Sequence, residues 1–122
     1  MLTNNLMDNV NALIKLVKTY FDNNVTGFIV TPDENEQDFS IECLVYRSFL
    51  VNFTLGDVRK GGVFGIGVAT GGRMFSLDIL TQNEEDLPID FREDAINQNL
   101  KILDYYLQWR MTDAQKKTFN LI

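Results

Sequence analysis

Residues 67–72 read Gly-Val-Ala-Thr-Gly-Gly, with two glycines separated by four residues, the spacing of a phosphate-cradling loop. That chemistry needs backbone N–H groups around the phosphate, a lysine to reach it, and a Ser or Thr for the metal ion, all opening a helix. Arg73-Met74 stand where the lysine and the hydroxyl residue belong, and an alternating, strand-like pattern follows. A dinucleotide fingerprint also fails, because Gly65-Ile-Gly67-Val-Ala-Thr70 lacks the third glycine. A hairpin explains the glycines instead. A turn at Gly71-Gly72 pairs Val68 with Phe75, Ile66 with Leu77 and Phe64 with Ile79, so all six large apolar residues share one face. The other face carries Gly65, Gly67 and Ala69 beside Met74, Ser76 and Asp78, and is shallow. Interior glycines cost a strand ~0.5–1 kcal/mol each relative to Ala, so something approaches closely where side chains are missing. Either a helix of the chain itself lies there, the commoner arrangement, or a partner does.

Other chemistry is scarce. The chain has no histidine, which removes Ser-His-Asp and Cys-His catalysis, His-ligated zinc and the usual general base near neutral pH. Its one cysteine, Cys43, sits in the apolar run Ile41–Val45 and reads as a small buried hydrophobe in a reducing compartment. Carboxylates are plentiful, but Asp33, Glu34, Glu36 and Asp38, and likewise Glu84, Glu85 and Asp86, fall in two loops where water keeps them ionised. The stretch Asp33-Glu-Asn35-Glu-Gln37 lacks the glycine and third oxygen ligand of a calcium loop. Asp78 is unusual in being placed within a strand, on the shallow face. It and Glu42 are the pair that a carboxylate-only mechanism would use. The expectation is a protein that is not an enzyme and needs no cofactor or metal.

Charge order is the stronger signal. The net charge is −6, which disfavours direct contact with nucleic acid and favours a basic protein as partner. Six acids and no base lie between Lys18 and Arg47, and five acids and no base between Arg73 and Arg92. Solubility accounts for such a pattern equally well. No apolar run reaches the ~20 residues of a membrane span. The N-terminus lacks the basic and apolar regions of a signal peptide, so the expected location is the cytoplasm.

The elements that must position these groups follow from periodicity. Leu2, Leu6, Val10, Leu13, Ile14, Val17 and Phe21 predict one amphipathic helix over 2–21. Val25–Thr31 reads as a strand closed by Pro32, followed by strands at Phe39–Tyr46 and Phe49–Leu55. A three-residue loop at Tyr46-Arg47-Ser48 sets Val45 opposite Phe49, Cys43 opposite Val51 and Ile41 opposite Phe53. Asp90-Phe-Arg-Glu93 resembles a capping box at the start of a long helix. That helix carries one stripe of Ile96, Leu100, Leu103 and Leu107, and a second of Ile102, Tyr105, Tyr106 and Trp109. The second stripe fits either the core or a partner surface, a homodimer included. Thr112-Asp-Ala-Gln115 is another capping box and predicts a short helix over 113–120, tethered by Phe119, Leu121 and Ile122. The expected fold is one α+β domain over 1–122: a helix, an antiparallel meander of about five strands, then one long and one short helix.

In its size, its acidic loops Asp33–Asp38 and Glu84–Asp86, its helix–meander–helix order and its lack of catalytic groups, the chain resembles bacterial immunity proteins of polymorphic and contact-dependent toxin systems. That resemblance implies tight, non-catalytic binding to a toxin domain, often a nuclease with a basic active site, which is blocked by steric and charge occlusion. The charge pattern then nominates Asp33, Glu34, Glu36, Asp38, Glu42, Asp78, Glu84, Glu85 and Asp86 as contacts, with Tyr105, Tyr106 and Trp109 as aromatic anchors. The chain also resembles secretion chaperones of the type III class, which imply a dimer holding an effector segment on apolar patches. A charge-mimicking inhibitor of phage origin is a third likeness, for which −6 is a modest charge.

Overall fold

The computed structural model describes residues 1–82 and 87–122. Helix α1 (Leu6–Phe21) buries Val10, Leu13, Val17 and Phe21, residues that recur at three- and four-residue steps. It starts later than its apolar spacing predicts because Asn5 caps it, the Asn5 side chain accepting from the Asp8 N–H at 3.0 Å. The preceding residues are tied down separately. Buried Asn9 accepts from the Thr3 N–H at 2.9 Å and donates to the Thr3 carbonyl at 3.0 Å, while Leu2 packs against the core.

Five strands follow in a meander, ordered β1-β2-β3-β4-β5. Strand β1 (Val25–Asp33) runs through Pro32 instead of stopping there. It is an edge strand, where the missing N–H of proline costs no ladder bond. A bulge between Thr26 and Ile29 uses Gly27 at φ 73°. Strands β2 (Asp38–Val45) and β3 (Phe49–Gly56) pair in the expected register, Val45 with Phe49, Cys43 with Val51 and Ile41 with Phe53. The turn between them holds Tyr46 at φ 52° and Arg47 at φ 55°.

Strand β4 (Val63–Thr70) turns at Gly71-Gly72 into β5 (Arg73–Ser76). Val68 pairs with Phe75 as expected. The other two expected pairs do not form. Residues Leu77–Leu80 are a helical turn, α2, with Leu77 buried and Ile79 exposed. Leu77 and Leu80 lie three apart and both pack inward, a helical spacing that competes with alternation here. Beyond the end of β5, the Phe64 N–H donates instead to the Ile89 carbonyl at 2.8 Å.

Helix α3 (Glu93–Arg110) has Arg92 as its N-cap with no side-chain cap, so the box expected at Asp90–Glu93 is absent. Arg92 takes its neighbouring acids itself, reaching Asp90 at 3.3 Å and Asp94 at 3.7 Å. Helix α4 (Asp113–Thr118) begins with the expected box: the Gln115 N–H donates to Thr112 Oγ1 at 3.2 Å, and the Thr112 N–H donates to Gln115 Oε1 at 2.9 Å.

One core lies between a single sheet face and the helices. Ile41, Cys43, Val45, Val51, Phe53, Leu55, Phe64 and Val68 meet the α1 stripe and Ile96, Leu100, Leu103 and Leu107 of α3. Burial pushes the Cys43 thiol up to about 12, with adjacent Glu42 adding to it. No helix among the described residues is long and apolar enough to cross a membrane.

Candidate functional site

Strand alternation sends every second side chain to the opposite sheet face, and no residue there belongs to the core cluster. Cross-strand pairing orders this face into rows. One row runs Ile29, Glu42, Asn52, Gly67, Ser76 across all five strands. A polar row of Thr31, Ser40, Thr54 and Gly65 flanks it on one side, and Leu44 with Leu50, and Ala69 with Met74, flank it on the other. Ile29 is 63% exposed, Met74 43% and Leu50 38%, so the face is open to solvent and offers apolar contact area. Its strand positions among the described residues carry no lysine or arginine; Glu42 is the charge at its centre, and the paired Asp33 and Asp38 stand at its hairpin end.

Among the described residues, the helix expected over the glycines is therefore not there. A Cβ on Gly67 would fall 2.9 Å from Met74 Cγ, and one on Gly65 3.1 Å from Thr54 Oγ1. The close neighbours are side chains of the adjacent strands. Met74 lies across Gly67, and its side chain takes the space a Cβ there would occupy. Where β5 stops, a notch of about 510 Å³ opens at the β4 edge between Thr54, Gly65, Met74, Asp78 and Pro88. Asp78 thus stands at the rim of the shallow face, on the first turn of α2, and not within a strand.

The acidic hairpin Asp33–Asp38 closes the β1–β2 end of the sheet, and part of its charge is already engaged. Asp33 Oδ1 accepts from the Asn35 and Glu36 N–H groups at 3.2 and 3.3 Å. Asp38 Oδ1 accepts from the Val58 N–H at 3.1 Å. Arg59 donates to the Asn35 carbonyl and stands 4.0 Å from Glu36. Both partners of that pair are exposed, so it is weak. Among the described residues, nothing engages the Glu34 carboxylate. Glu84, Glu85 and Asp86 lie outside the described residues.

The aromatic stripe divides. Tyr106 is buried at 9% exposure, with Arg110 stacked 5.7 Å over its ring. Tyr105 and Trp109 are 75% and 74% exposed and line an open groove of about 700 Å³ between α2 and α3. The C-terminal end of α3 sits by the opposite end of the sheet from the acidic hairpin, with Arg110 reaching Thr70 Oγ1 at 3.4 Å. The nominated residues that are described thus fall into three places: the acidic hairpin, the open face with Glu42 and Asp78, and the α3 ledge.

Sequence reasoning missed one polar node. Asp104 accepts from the Tyr46 hydroxyl at 2.6 Å, the Tyr20 hydroxyl at 3.3 Å and the Gln108 amide at 3.1 Å. It ties α1, the β2–β3 turn and α3 together. Burial and the adjacent carboxylate push Tyr20 up to about 12 and raise Tyr46 as well. These partners are 58 and 84 residues away in the chain, so no local motif marks them. Among the described residues no three His, Cys, Asp or Glu side chains are placed to hold a metal ion. No family model, curated protein or solved structure matches this chain.

Proposed function

We propose that this chain is a non-catalytic binding protein of the immunity type, which neutralises a bacterial toxin domain by laying its open sheet face and acidic margins over a basic surface. The observation that carries the reading is that face: five strands with no covering helix among the described residues, four exposed apolar side chains (Ile29, Leu50, Val63 and Met74) and no cation at its strand positions. An antiparallel sheet with one face packed on a core tolerates a solvated, polar second face. Here Ile29, Leu50 and Met74 stand on alternate strands, β1, β3 and β5, and spread apolar contact area across the face, with Glu42 among them and Asp78 at the rim. Strand addition is the poorer mode. The β1 edge is interrupted by its bulge and Pro32, and the β4 edge beyond β5 is occupied by Ile89. Face-on docking with a negative field suits a cationic partner and speeds its association at low salt.

The test is affinity capture in low and high salt, with mass spectrometry of retained proteins and then kinetics on the purified pair. The expected result is a basic toxin domain bound one to one, silenced when bound, and associating more slowly as ionic strength rises. An effector's N-terminal segment held by a dimer, with association indifferent to salt, replaces this reading with the secretion chaperone. The observation favouring that second reading is the exposed Tyr105 and Trp109 on α3.

A further inference from the structure

We infer that α3 carries a self-association surface, and that its occupant is a second copy of this chain. Lys101, Tyr105 and Trp109 are four residues apart and form one ridge on the exposed side of the helix. Two ridges of this i, i+4 kind lie side by side when their helices cross at ~50°. A twofold axis through Tyr105 makes the ridges antiparallel. Residues equally spaced on either side of Tyr105 then face each other, so Lys101 of one copy lies over Trp109 of the other, twice. A cation on an indole face is a favourable contact, and desolvation strengthens it.

Charge selects the occupant. The protein has a net charge of −6, so two copies repel across most approaches. Among the described residues lining the α3 groove, Lys101 is the one charged side chain. The described lining thus brings no carboxylate of either copy into the contact, and each copy brings the cation that the other's aromatic takes. The exposed aromatics supply part of the area a dimer needs. Tyr105 and Trp109 are 75% and 74% exposed. At ~200 Å² for a large aromatic, the pair offers roughly 300 Å² per copy, more than a third of the ~800 Å² per partner in a stable interface. Partly buried Ile102 and Leu80 widen the apolar floor beside them. This surface is on the helix layer and meets the open sheet face only at α2, where Leu80 lines the groove and Asp78 the notch.

Sedimentation velocity over a concentration series tests the proposal, alongside emission from Trp109, the sole tryptophan. The expected result is a monomer–dimer equilibrium, with emission shifting to shorter wavelength as dimer forms. Trp109→Ser and Lys101→Glu each raise the dissociation constant at least about a hundredfold, since each substitution counts twice per dimer. Both sites are exposed, so the variants keep the wild-type circular dichroism. A wild type that stays monomeric across the series overturns the proposal. A dimer that both variants leave intact, or open-ended association in place of a closed pair, overturns it equally.

Discussion

Replacing Tyr46 with Phe isolates the polar node at Asp104. Tyr46 is 3% exposed, and its hydroxyl donates to Asp104 Oδ1 at 2.6 Å, a short bond to a carboxylate. Hydrogen bonds to charged groups contribute ~1.5–3 kcal/mol net, against ~1 kcal/mol for neutral pairs. Asp104 keeps two other donors, Tyr20 at 3.3 Å and Gln108 at 3.1 Å, which soften the loss. The expected cost of Tyr46→Phe is therefore ~2 kcal/mol, or about 8 °C in Tm for a chain of this length. Asp104→Ala costs more, ~3 kcal/mol, because it strands a buried hydroxyl as well as removing the bond. The pair must also couple. The double variant is less destabilised than the sum of the single variants, by ~1.5 kcal/mol. The assay is urea unfolding followed by far-ultraviolet circular dichroism, since exposed Trp109 is a poor reporter of the core. A cost below ~0.5 kcal/mol for Tyr46→Phe, or additive effects within error, refutes the node as a link between α1, the β2–β3 turn and α3.

Gly67→Ala separates shape from stability. The new methyl meets the Met74 side chain at 2.9 Å, and Met74, being 43% exposed, swings outward at little cost. Stability then changes by less than ~1 kcal/mol, while partner affinity falls because the floor of the open face rises; urea melts and binding isotherms check the two halves. Stability falls as pH climbs above 9, because Cys43 holds its proton up to about 12 in the folded chain but releases it near 9 when unfolded. The folded state thus binds more protons in that window. Tyr20, raised from 10 to about 12, acts in the same direction at the upper end, and Cys43→Ala flattens the lower limb of an alkaline stability profile. Thr112→Ala removes the α4 cap and costs ~1 kcal/mol, visible as faster hydrogen exchange over 113–118.

Much of the fold is legible in the chain because its period-two segments are clean. Ile41, Cys43 and Val45 against Phe49, Val51 and Phe53 admit one register, since any one-residue slip sends a core side chain into water. Leu77–Leu80 defeats the same logic. Its residues satisfy alternation and helical spacing alike, and the tertiary fit of Leu77 and Leu80 decides for the helix. Pro32 misleads because the chain does not announce which strand lies at an edge. The glycines at 65 and 67 do mark a close approach, but the approaching atoms are Thr54 and Met74 from neighbouring strands, which a helix-or-partner choice overlooks. On α3, two apolar stripes compete for one sheet. Ile96, Leu100, Leu103 and Leu107 take it, and Tyr105 and Trp109 are left outside. The nominated acids are legible as charge but not as geometry, since only folding separates the hairpin at Asp33–Asp38 from Glu42 and Asp78.

The most direct test of the open face as the docking surface is affinity of the captured partner for Glu42→Lys and for Leu50→Lys. Both positions lie on solvent-facing rows of the sheet, so each variant keeps the wild-type fold by circular dichroism. Docking on this face predicts at least a tenfold loss of affinity in each, ~1.4 kcal/mol or more, with Glu42→Lys also flattening the dependence of association rate on salt. Wild-type affinity in both variants contradicts it, and places the partner elsewhere on the molecule.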